Sequence, residues 1–500
     1  MSVFNKSISC VFVGGSGTKA GVAFAGGCTK AWLDAHAGNP SLLFGANGSN
    51  LAIVSGQINS GVISAANGGT DLVAAGAEVG MVIYFDDTGA GVDNGLFEIT
   101  GINGSNDIDL GEPLLNVVGD FYLGGAFPAL EDAAAYATAI FGYDAYIFTN
   151  KNETLTGPIT TLQQGSEVKN SYLIVEGFNT ICGDMRKYNP WTGAQGAYYQ
   201  PALEYFKGNR DANCSIQLDA NGGAWDIISA AAIRVNIVFR NIEFFNTHPS
   251  DPNMRALDAT EAFNWKCINC RFKDLFRTTS VYRTGGSEKF YMEDCAGVNI
   301  HAIQSGNLIA VNSYFSFRQG TSVPTLMFQQ YGLNHGKTME LYNCVVDGQG
   351  EAGLGSYDGQ ILAFNSVFYN MGGVADYIFQ FRPNGQYKFR NCVIVAAASD
   401  VTLAAYDPTT TEGEIDTDYC CICDINGNPI TYMTDPGDGR QLYTFGKNDI
   451  QVDPMFVDPA NRDFRMFPNS PCIGAGKPDP MGQPTNIGFY HKNNGLYGTK

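Results

Sequence analysis

The chain has 500 residues, of which 60 are glycine and only 16% are charged, a composition typical of proteins rich in β-strands and turns. Its 49 acidic and 30 basic side chains give a formal net charge of −19, which argues against binding nucleic acid or anionic membranes through a broad positive field. No run approaches the ~18 apolar residues of a membrane-spanning helix, and the N-terminus lacks the apolar core of a secretory signal. We therefore expect a protein made in a cytoplasm, without nucleic-acid partners or membrane insertion.

Residues 1–122 are rich in small and turn-forming residues and contain three alternating segments, Met81–Phe85, Leu96–Thr100 and Asp107–Leu110. Alternation between tight turns is typical of strands. We expect a small β-rich N-terminal domain here, such as a barrel, with a core separate from the rest of the chain. Acidic residues in its turns lack the spacing of an EF-hand loop, so no cofactor is expected, with Ca²⁺ as the open alternative.

The segment 123–144 carries a helical pattern, because Leu130, Ala133 and Ala137 share one face. Pro128 suits the first turn of such a helix. A short amphipathic helix placed before a stacked repeat is expected to cap the exposed first coil.

Between Asn241 and Cys423 a short block recurs seven times: an apolar residue, any residue, Asn or Asp, and then usually Cys or Ser. Counted from Ile242, the steps are 28, 25, 18, 31, 22, 26 and 28 residues. A period in this range predicts a stacked-repeat architecture. Each block alternates like a strand and is bounded by turn residues, so each coil should hold short strands that pair in parallel with those of neighbouring coils.

The Asn or Asp of the block is expected to stack coil upon coil as a ladder of side-chain amides. The expected ladder residues are Asn269, Asp294, Asn312, Asn343, Asn365 and Asn391. The following position predicts a file of small apolar side chains: Cys270, Cys295, Cys344 and Cys392. Because Ser313 and Ser366 occupy the same slot, neither disulfides nor a metal site are expected. In a strand, the spacing of Cys267 and Cys270 would point their sulfurs to opposite faces.

These repeats resemble the right-handed parallel β-helix superfamily, the fold of pectate lyases and of many phage tailspikes. Four C-terminal segments resemble the closing coil of such proteins: 453–458, 463–466, 470–474 and 486–490. The resemblance implies an all-β chain whose main part is a right-handed solenoid of roughly ten to twelve coils. The expected organisation is an N-terminal β domain at 1–122, a capping helix and linker at 123–144, the β-helix at 145–478 and a C-terminal tail or cap at 479–500.

Candidate site residues are few. Asp347, Glu351 and Asp358 are expected on adjacent coils, where two carboxylates roughly 5–10 Å apart could hydrolyse a glycan. Basic and aromatic residues that could complete such a groove, or serve a lyase, are Arg318, Tyr331, His335 and Arg382. An aromatic-rich insertion at 179–213 is a candidate side loop for ligand contact. The ligand-binding candidates are Tyr331, Trp191, Tyr198 and Tyr199.

Three functions compete. The preferred hypothesis is a virion surface protein (a tail spike, fibre or capsid decoration) that binds other virion proteins through its N-terminal domain and exposes a rigid, glycan-binding solenoid. The resemblance to tailspikes implies a homo-oligomer, namely a trimer, located in the virion. The first alternative is a polysaccharide lyase or glycoside hydrolase acting on surface or extracellular glycan, and the second is a non-catalytic adhesin. We assign no catalysis from the sequence.

Overall fold

The computed structural model describes most of the chain from residue 10 to residue 488. The described ranges are 10–13, 27–39, 52–59, 62–64, 72–86, 95–103, 107–110, 117–124, 126–127, 129–134, 144–150, 152–160, 172–178, 182, 184–186, 188–190, 216–223, 225–230, 236–247, 255–259, 264–275, 277–281, 289–300, 303–305, 307–317, 326–331, 337–351, 353–357, 359–373, 377–381, 385–405, 414–430 and 443–488. No helix within these ranges is both long and apolar enough to cross a bilayer.

The N-terminal region forms a closed barrel and adds strands to the solenoid. Its elements are β1 Cys10–Val13, β2 Gly27–Cys28, α1 Lys30–Ala35, β3 Ala52–Asn59, β4 Val62–Ser64, β5 Val82–Asp86, β6 Gly95–Ile102, β7 Asp107–Leu110 and β8 Val117–Leu123. Strands β3 to β8 close the barrel in the order β3-β4-β7-β6-β5-β8. Strand β1 instead pairs in parallel with the first coil and antiparallel with β2.

The coils follow in chain order. Their elements are α2 Leu130–Ala134, β9 Ala145–Thr149, β10 Glu153–Thr154, β11 Tyr172–Gly177, β12 Ile216–Asp219, β13 Ile228–Ala230, β14 Asn236–Arg240, β15 Ile242–Phe245, β16 Arg255–Ala259, β17 Asn264–Ile268, β18 Arg271–Leu275, β19 Arg277–Val281, β20 Lys289–Glu293, β21 Ala296–Ile300, β22 Ile303–Ser305, β23 Leu308–Val311, β24 Tyr314–Phe317, β25 Leu326–Tyr331, β26 Lys337–Tyr342, β27 Val345–Asp347, β28 Gly353–Tyr357, β29 Gly359–Phe364, β30 Val367–Met371, β31 Tyr377–Phe381, β32 Gln386–Arg390, β33 Val393–Ala396, β34 Thr402–Ala405, β35 Glu414–Asp418, β36 Cys421–Asp424 and β37 Tyr443–Thr444. After them come β38 Phe456–Asp458, a 3₁₀ turn at Pro459–Asn461 and β39 Asp463–Met466.

Successive strands of a coil belong to three different sheets, which we call the long, middle and short sheets. The long sheet has 13 strands and includes β29, the middle sheet has 10 and includes β30, and the short sheet has 8 and includes β31. From coil to coil the strands pair in parallel, so that β29 pairs with β32 and β30 with β33. This strand order confirms the predicted parallel β-helix.

Alternation of side chains places one row of each sheet inside the coil. In the coil of β29, β30 and β31, the interior contains Ile361, Ala363, Phe368 and Phe379, all fully buried. The same core continues through the other coils as one apolar cluster. Burying such a side chain contributes roughly 1.5–3 kcal/mol, so the interior supplies the main stabilisation of the solenoid.

Helix α2 packs against the first coil, and its role as a cap over that coil stays a prediction. Ala137 of the predicted helix lies outside the described residues. Leu130, Ala133 and Ala134 are buried in the solenoid core. The backbone N–H of Leu130 donates to both carboxylate oxygens of the buried Glu153, at 2.9 and 3.1 Å. The carboxylate therefore satisfies a helix N–H that has no partner within the helix.

The expectation that the N-terminal region has a separate core is wrong. One apolar cluster joins Met81 and Phe97 of the N-terminal region to Phe148 and Phe178 of the first coils. The ring of Phe12 in β1 stacks on that of Phe148 at 5.6 Å. Because these side chains share a core, the N-terminal region and the first coils stabilise each other. The proposed boundary near residue 122 stays a prediction.

The Asn or Asp of the repeat forms the corner between the long and middle sheets. The corner residues with positive φ are Asn241, Asn269, Asp294, Asn312, Asn343, Asn365, Asn391 and Tyr419. Asn and Asp tolerate this left-handed conformation better than most other residues with a Cβ. Side-chain amides also bond across coils: Asn343 Nδ2 donates to Asn312 Oδ1 at 2.8 Å, and Asn391 Nδ2 to Asn365 Oδ1 at 3.1 Å. The repeated residue thus serves both the turn and the contact between coils.

A second corner, between the middle and short sheets, was not predicted. Its residues with positive φ are Asn246, Asp274, Asn299, Gln349 and Asn370. In four coils this corner falls five residues after the first one, as in Asn241 and Asn246. A four-residue strand of the middle sheet fits between the two turns, so the spacing of paired Asn or Asp residues is the sequence signal of this sheet.

The cysteine file lies just inside the first corner. Cys270, Cys295, Cys344 and Cys392 are buried free thiols, as are the other cysteines whose side chains the structure describes. Serines take the same slot, and Ser366 Oγ accepts from the backbone N–H of Cys344 at 3.1 Å.

The expectation that Cys267 and Cys270 point to opposite faces is wrong. Both side chains are fully buried in the solenoid core. The left-handed turn at Asn269 (φ 54°) interrupts strand alternation between them. The chain turns a corner there, so both side chains face inward.

Candidate functional site

Asp347 is not on an exposed groove. It ends β27 on the outer side of the middle sheet and is only 2% exposed. Its carboxylate accepts from the backbone N–H of Gln349 at 3.1 Å and from the hydroxyl of Tyr314 at 3.4 Å, and Arg462 Nε lies 3.7 Å away. Burial raises the pKa of Asp347, and the Gln349 hydrogen bonds and Arg462 oppose that rise only in part. This carboxylate is held within the fold.

Within the residues that it describes, the structure does not bring the other groove candidates together around Asp347. Glu351 is half-buried in the turn that follows β27. Tyr331 ends β25 in the short sheet, where it pairs with Tyr357, whereas Asp347 belongs to the middle sheet. The candidates that lie outside the described residues are Asp358, Arg318, His335, Arg382, Trp191, Tyr198 and Tyr199.

The start of the predicted side loop packs against the N-terminal region. The backbone N–H of Cys182 donates to the carbonyl of Gly38 at 3.0 Å, and Cys182 is buried in the cluster that joins the N-terminal region to the first coils. Arg186 forms an ion pair with Glu176, a fully buried carboxylate at the end of β11. This part of the insertion therefore contributes to the junction between the two regions.

Residues 450–488, here called the C-terminal cover, do not form the expected closing coil. They run back across the outer side of the middle sheet. Apolar side chains of the cover pack on that side: Phe456, Phe464, Met466, Cys472 and Ile487. Their partners in successive coils include Val345, Val367, Val393 and Cys421. The contact of Arg462 with Asp347 shows that the cover reaches three strands back from β36.

The outer side of the long sheet has a different character. Two adjacent rows of outward side chains are half-buried and largely polar or aromatic. The first row is Lys266, Tyr291, Ile309, Glu340, Leu362, Lys388 and Asp416, and the second is Ile268, Glu293, Val311, Tyr342, Phe364, Arg390 and Asp418. We call these two rows the Tyr–Glu face.

Two tyrosine–glutamate pairs define this face. Tyr291 donates its hydroxyl to Glu293 at 3.2 Å, and Tyr342 donates to Glu340 at 2.7 Å. Burial and Glu293 raise the pKa of Tyr291 to about 12. The hydrogen bond to Glu340 and burial raise the pKa of Tyr342 to about 12. Both phenols therefore stay protonated at neutral pH and act as hydrogen-bond donors, not as bases.

The pairs are spaced by the stacking of the coils. Tyr291 is in register with Ile309, which is in register with Glu340, so the two pairs lie two strands apart. At ~4.8 Å per strand this separation is about 10 Å along the sheet. Phe364 stacks on Tyr342 with ring centroids 5.2 Å apart and extends the aromatic surface by one coil.

Charges of both signs border the pairs. Arg390 donates to the carboxylate of Asp416 at 2.6 Å and to its carbonyl at 3.0 Å. Lys266 Nζ lies 4.7 Å from the ring centroid of Tyr172. Glu293 and Glu340 belong to different rows and to strands two apart, which places their Cα atoms about 12 Å from each other by strand geometry. The face therefore combines paired acids, phenol oxygens held in place by those acids, and nearby cations.

Comparisons with known proteins bear on the fold only. No protein-family model matches the sequence, and no curated protein matches it. Among solved structures, the chain is similar to pectate lyase Pel9A, with 12% identity, a TM-score of 0.34, and coverage of 74% of this chain and 92% of that one. This likeness is too weak to support an argument about activity. The parallel β-helix stands on the strand order and register of the chain itself.

Proposed function

We propose that the protein is a rigid, non-catalytic surface component of a virus particle that binds an extended glycan along the Tyr–Glu face. The observation that carries the glycan-binding part is the recurrence of a tyrosine–glutamate pair two strands apart on an accessible sheet. Sugar hydroxyls both donate and accept hydrogen bonds. The carboxylates of Glu293 and Glu340 can accept hydrogen bonds. The phenol oxygens, whose O–H groups are donated to these carboxylates, can also accept, and Lys388 adds a donor.

The parallel pairing of strands between coils supports the proposal that the protein is rigid. Backbone hydrogen bonds between neighbouring coils run along all three sheets, so a polymer lying on the long sheet meets groups whose spacing is fixed. Preorganised groups lose little conformational entropy on binding. We infer that the protein would be a tail spike, fibre or capsid decoration, attached to other virion proteins by its N-terminal region and assembled as a trimer.

Binding is favoured over cleavage because Glu293 and Glu340, the two glutamates of the face, already accept from a tyrosine. A glycosidase needs two carboxyl groups roughly 5–10 Å apart across one bond, and a lyase needs an unprotonated base. The phenols on this face are held protonated, and Arg390 is paired with Asp416. A polysaccharide lyase or glycoside hydrolase is therefore the alternative that the following experiment must be able to detect.

The first test is a binding survey against acidic and neutral polysaccharides by biolayer interferometry. For a glycan that binds, Tyr342→Ala should weaken affinity about ten-fold, equivalent to ~1.4 kcal/mol. Phe364→Ala should act similarly, because it removes the stacked neighbour. Tyr188→Ala is the matched control, since Tyr188 is 64% exposed on the insertion. Unchanged affinity in both face variants would contradict the proposed site.

The same samples distinguish binding from catalysis. Release of reducing ends or of unsaturated products by the wild type, abolished by Glu340→Gln, would favour the enzyme alternative. The virion part has its own test, immunogold labelling of intact particles with antibody against residues 145–478. Labelling on the particle surface is expected, and its absence would contradict that part while leaving glycan binding open to its own result.

A further inference from the structure

A cavity of about 250 Å³ lies between the middle sheet and the C-terminal cover. Tyr369 and Asp424 line it from the middle sheet and Ile425 from the turn that follows. Asp453, Phe456 and Phe467 line it from the cover. The cavity is separate from the Tyr–Glu face, because it sits on the outer side of a different sheet. Its volume is below the ~300–1,000 Å³ of typical small-molecule sites, so the cavity suits a compact group.

Its polar lining carries negative charge. Hydrogen bonds from Asn428 and Asn426 outweigh the effect of burial and lower the pKa of Asp424, so this carboxylate is a fixed anion. Asp453 lies at the exposed rim, where its Oδ1 accepts from the backbone N–H of Met455 at 2.8 Å. Arg462, the cation nearby in the sequence, is in an ion pair with Asp347. An occupant that brings a positive charge would therefore be attracted by the exposed carboxylate of Asp453 and by that of Asp424, which is buried and accepts from Asn426 and Asn428.

The remaining lining is aromatic and aliphatic. The ring of Tyr369 makes edge contacts with Phe456 at 6.0 Å and Phe464 at 5.2 Å, which fixes its position in the wall. Phe467 and Ile425 are 43% and 41% exposed at the mouth. Large apolar side chains left this accessible beside a cavity are a feature of binding sites. Aromatic rings also attract cations through the negative charge of their faces.

We propose that this cavity binds an ammonium group carried on a compact apolar body. Asp424 and Asp453 provide the counter-charge, while Ile425, Phe456 and Phe467 contact the apolar part. Two sources share this chemistry: an amino sugar of a glycan and the side chain of a lysine. The cavity volume is large enough for one such group. This inference does not depend on the proposed glycan-binding face.

The test is isothermal titration with cyclohexylammonium and with its neutral analogue cyclohexanol, which have nearly the same shape. The ammonium compound should bind about ten-fold tighter or better. Asp453→Asn should weaken its binding about five-fold or more. Asp479→Asn is the matched control. Asp479 makes a similar turn in the same cover, accepting from Met481 N–H at 2.9 Å and Gln483 N–H at 2.8 Å, and its replacement should leave binding unchanged.

Two competitors then distinguish the sources. Displacement of cyclohexylammonium by glucosamine would identify an amino sugar as the source. Displacement by Nα-acetyllysine amide would identify a lysine side chain. Either result supports the proposal. Phe467→Ala, at the exposed mouth, provides a second variant whose folding is not in question and should weaken binding as well. Equal affinity for cyclohexanol, or full affinity in Asp453→Asn with a native circular dichroism spectrum, would overturn it.

Discussion

The outer sides of the long and middle sheets are built from the same coils but have opposite roles. On the middle sheet the outward positions hold Val345, Val367 and Val393, and the C-terminal cover buries them. On the long sheet the corresponding positions hold Glu340, Tyr342 and other polar or aromatic residues that remain half-buried. The difference shows that the residues of the outer rows decide which side of a solenoid is covered and which side stays at the surface.

The sharpest way to break this comparison is to place the same charge on each side. Val367→Asp would bury an unpaired carboxylate under the cover and should lower the free energy of unfolding by at least about 3 kcal/mol. Leu362→Asp, on the long sheet in the same coil, should cost about 1 kcal/mol or less. Urea denaturation of the two variants checks the difference. Equal losses would mean that the two sides are buried alike.

A second pair compares a buried and an exposed phenylalanine of the cover. Phe464 is 2% exposed and packs on the middle sheet, whereas Phe467 is 43% exposed. Phe464→Ala should reduce the free energy of unfolding by about 3–5 kcal/mol, and Phe467→Ala by about 1 kcal/mol or less. If the two losses measured by urea denaturation were similar, the cover would not be anchored as described.

The contributions of two carboxylates beneath the cover, Asp347 and Asp424, to the free energy of unfolding should change with pH in opposite directions. The raised pKa of Asp347 means that the folded protein binds this proton more tightly than the unfolded chain. Its contribution to stability is therefore present below the ordinary pKa of aspartate and is lost as the pH rises through the raised pKa of the folded protein. When the pH is lowered from 8 to 5, the Asp347→Asn variant should therefore gain less stability than the wild type.

Asp424 offers the contrasting case, since its pKa is lowered by the Asn428 and Asn426 hydrogen bonds despite burial. Its contribution to stability is present at pH values above the ordinary pKa of aspartate and is lost only in more acidic solution. Asp424→Asn should therefore cost about 1–3 kcal/mol at both pH 5 and pH 8. Thermal or urea unfolding of both variants at the two pH values measures this. The same pH slope in Asp347→Asn as in the wild type would contradict the account of Asp347.

The smallest expected effect concerns the corner that separates the two sides. Tyr419 adopts φ 54°, a conformation that the other coils give to Asn or Asp at this position. Tyr419→Asn should raise the free energy of unfolding by about 1 kcal/mol, because asparagine tolerates the left-handed region better. Denaturant midpoints are sensitive enough to detect this gain. A loss of stability would show that the tyrosine ring contributes more than the turn costs.

Much of the fold could be predicted because the repeated Asn has a local cause. Residues such as Asn343 occupy a left-handed turn in nearly every coil, and that requirement is visible as a period in the sequence. The second corner was missed because its residues, such as Asn370, follow the first corner after only a few residues. The sequence pattern there was interpreted as one continuous strand. The offset of five residues would have indicated two corners and a short middle strand.

The candidate site was harder to predict for a physical reason. Whether Asp347 is exposed depends on Arg462 and the cover, which lie more than 100 residues away in the sequence and return by a path that no local pattern specifies. The Tyr–Glu face was missed because Tyr291 and Glu340 become neighbours only through register between coils. An alternating search along each strand, aligned at the repeated Asn, would have placed these two residues in the same row.

The most direct measurement is hydroxyl-radical footprinting of the native protein, read by mass spectrometry at two tyrosines. Tyr342 belongs to the Tyr–Glu face, and Tyr314 is fully buried on the outer side of the middle sheet. The account predicts strong oxidation of Tyr342, protection of Tyr314, and protection of Tyr342 when a bound glycan is added. Equal oxidation of the two tyrosines in the native protein would contradict the division into an open side and a covered side.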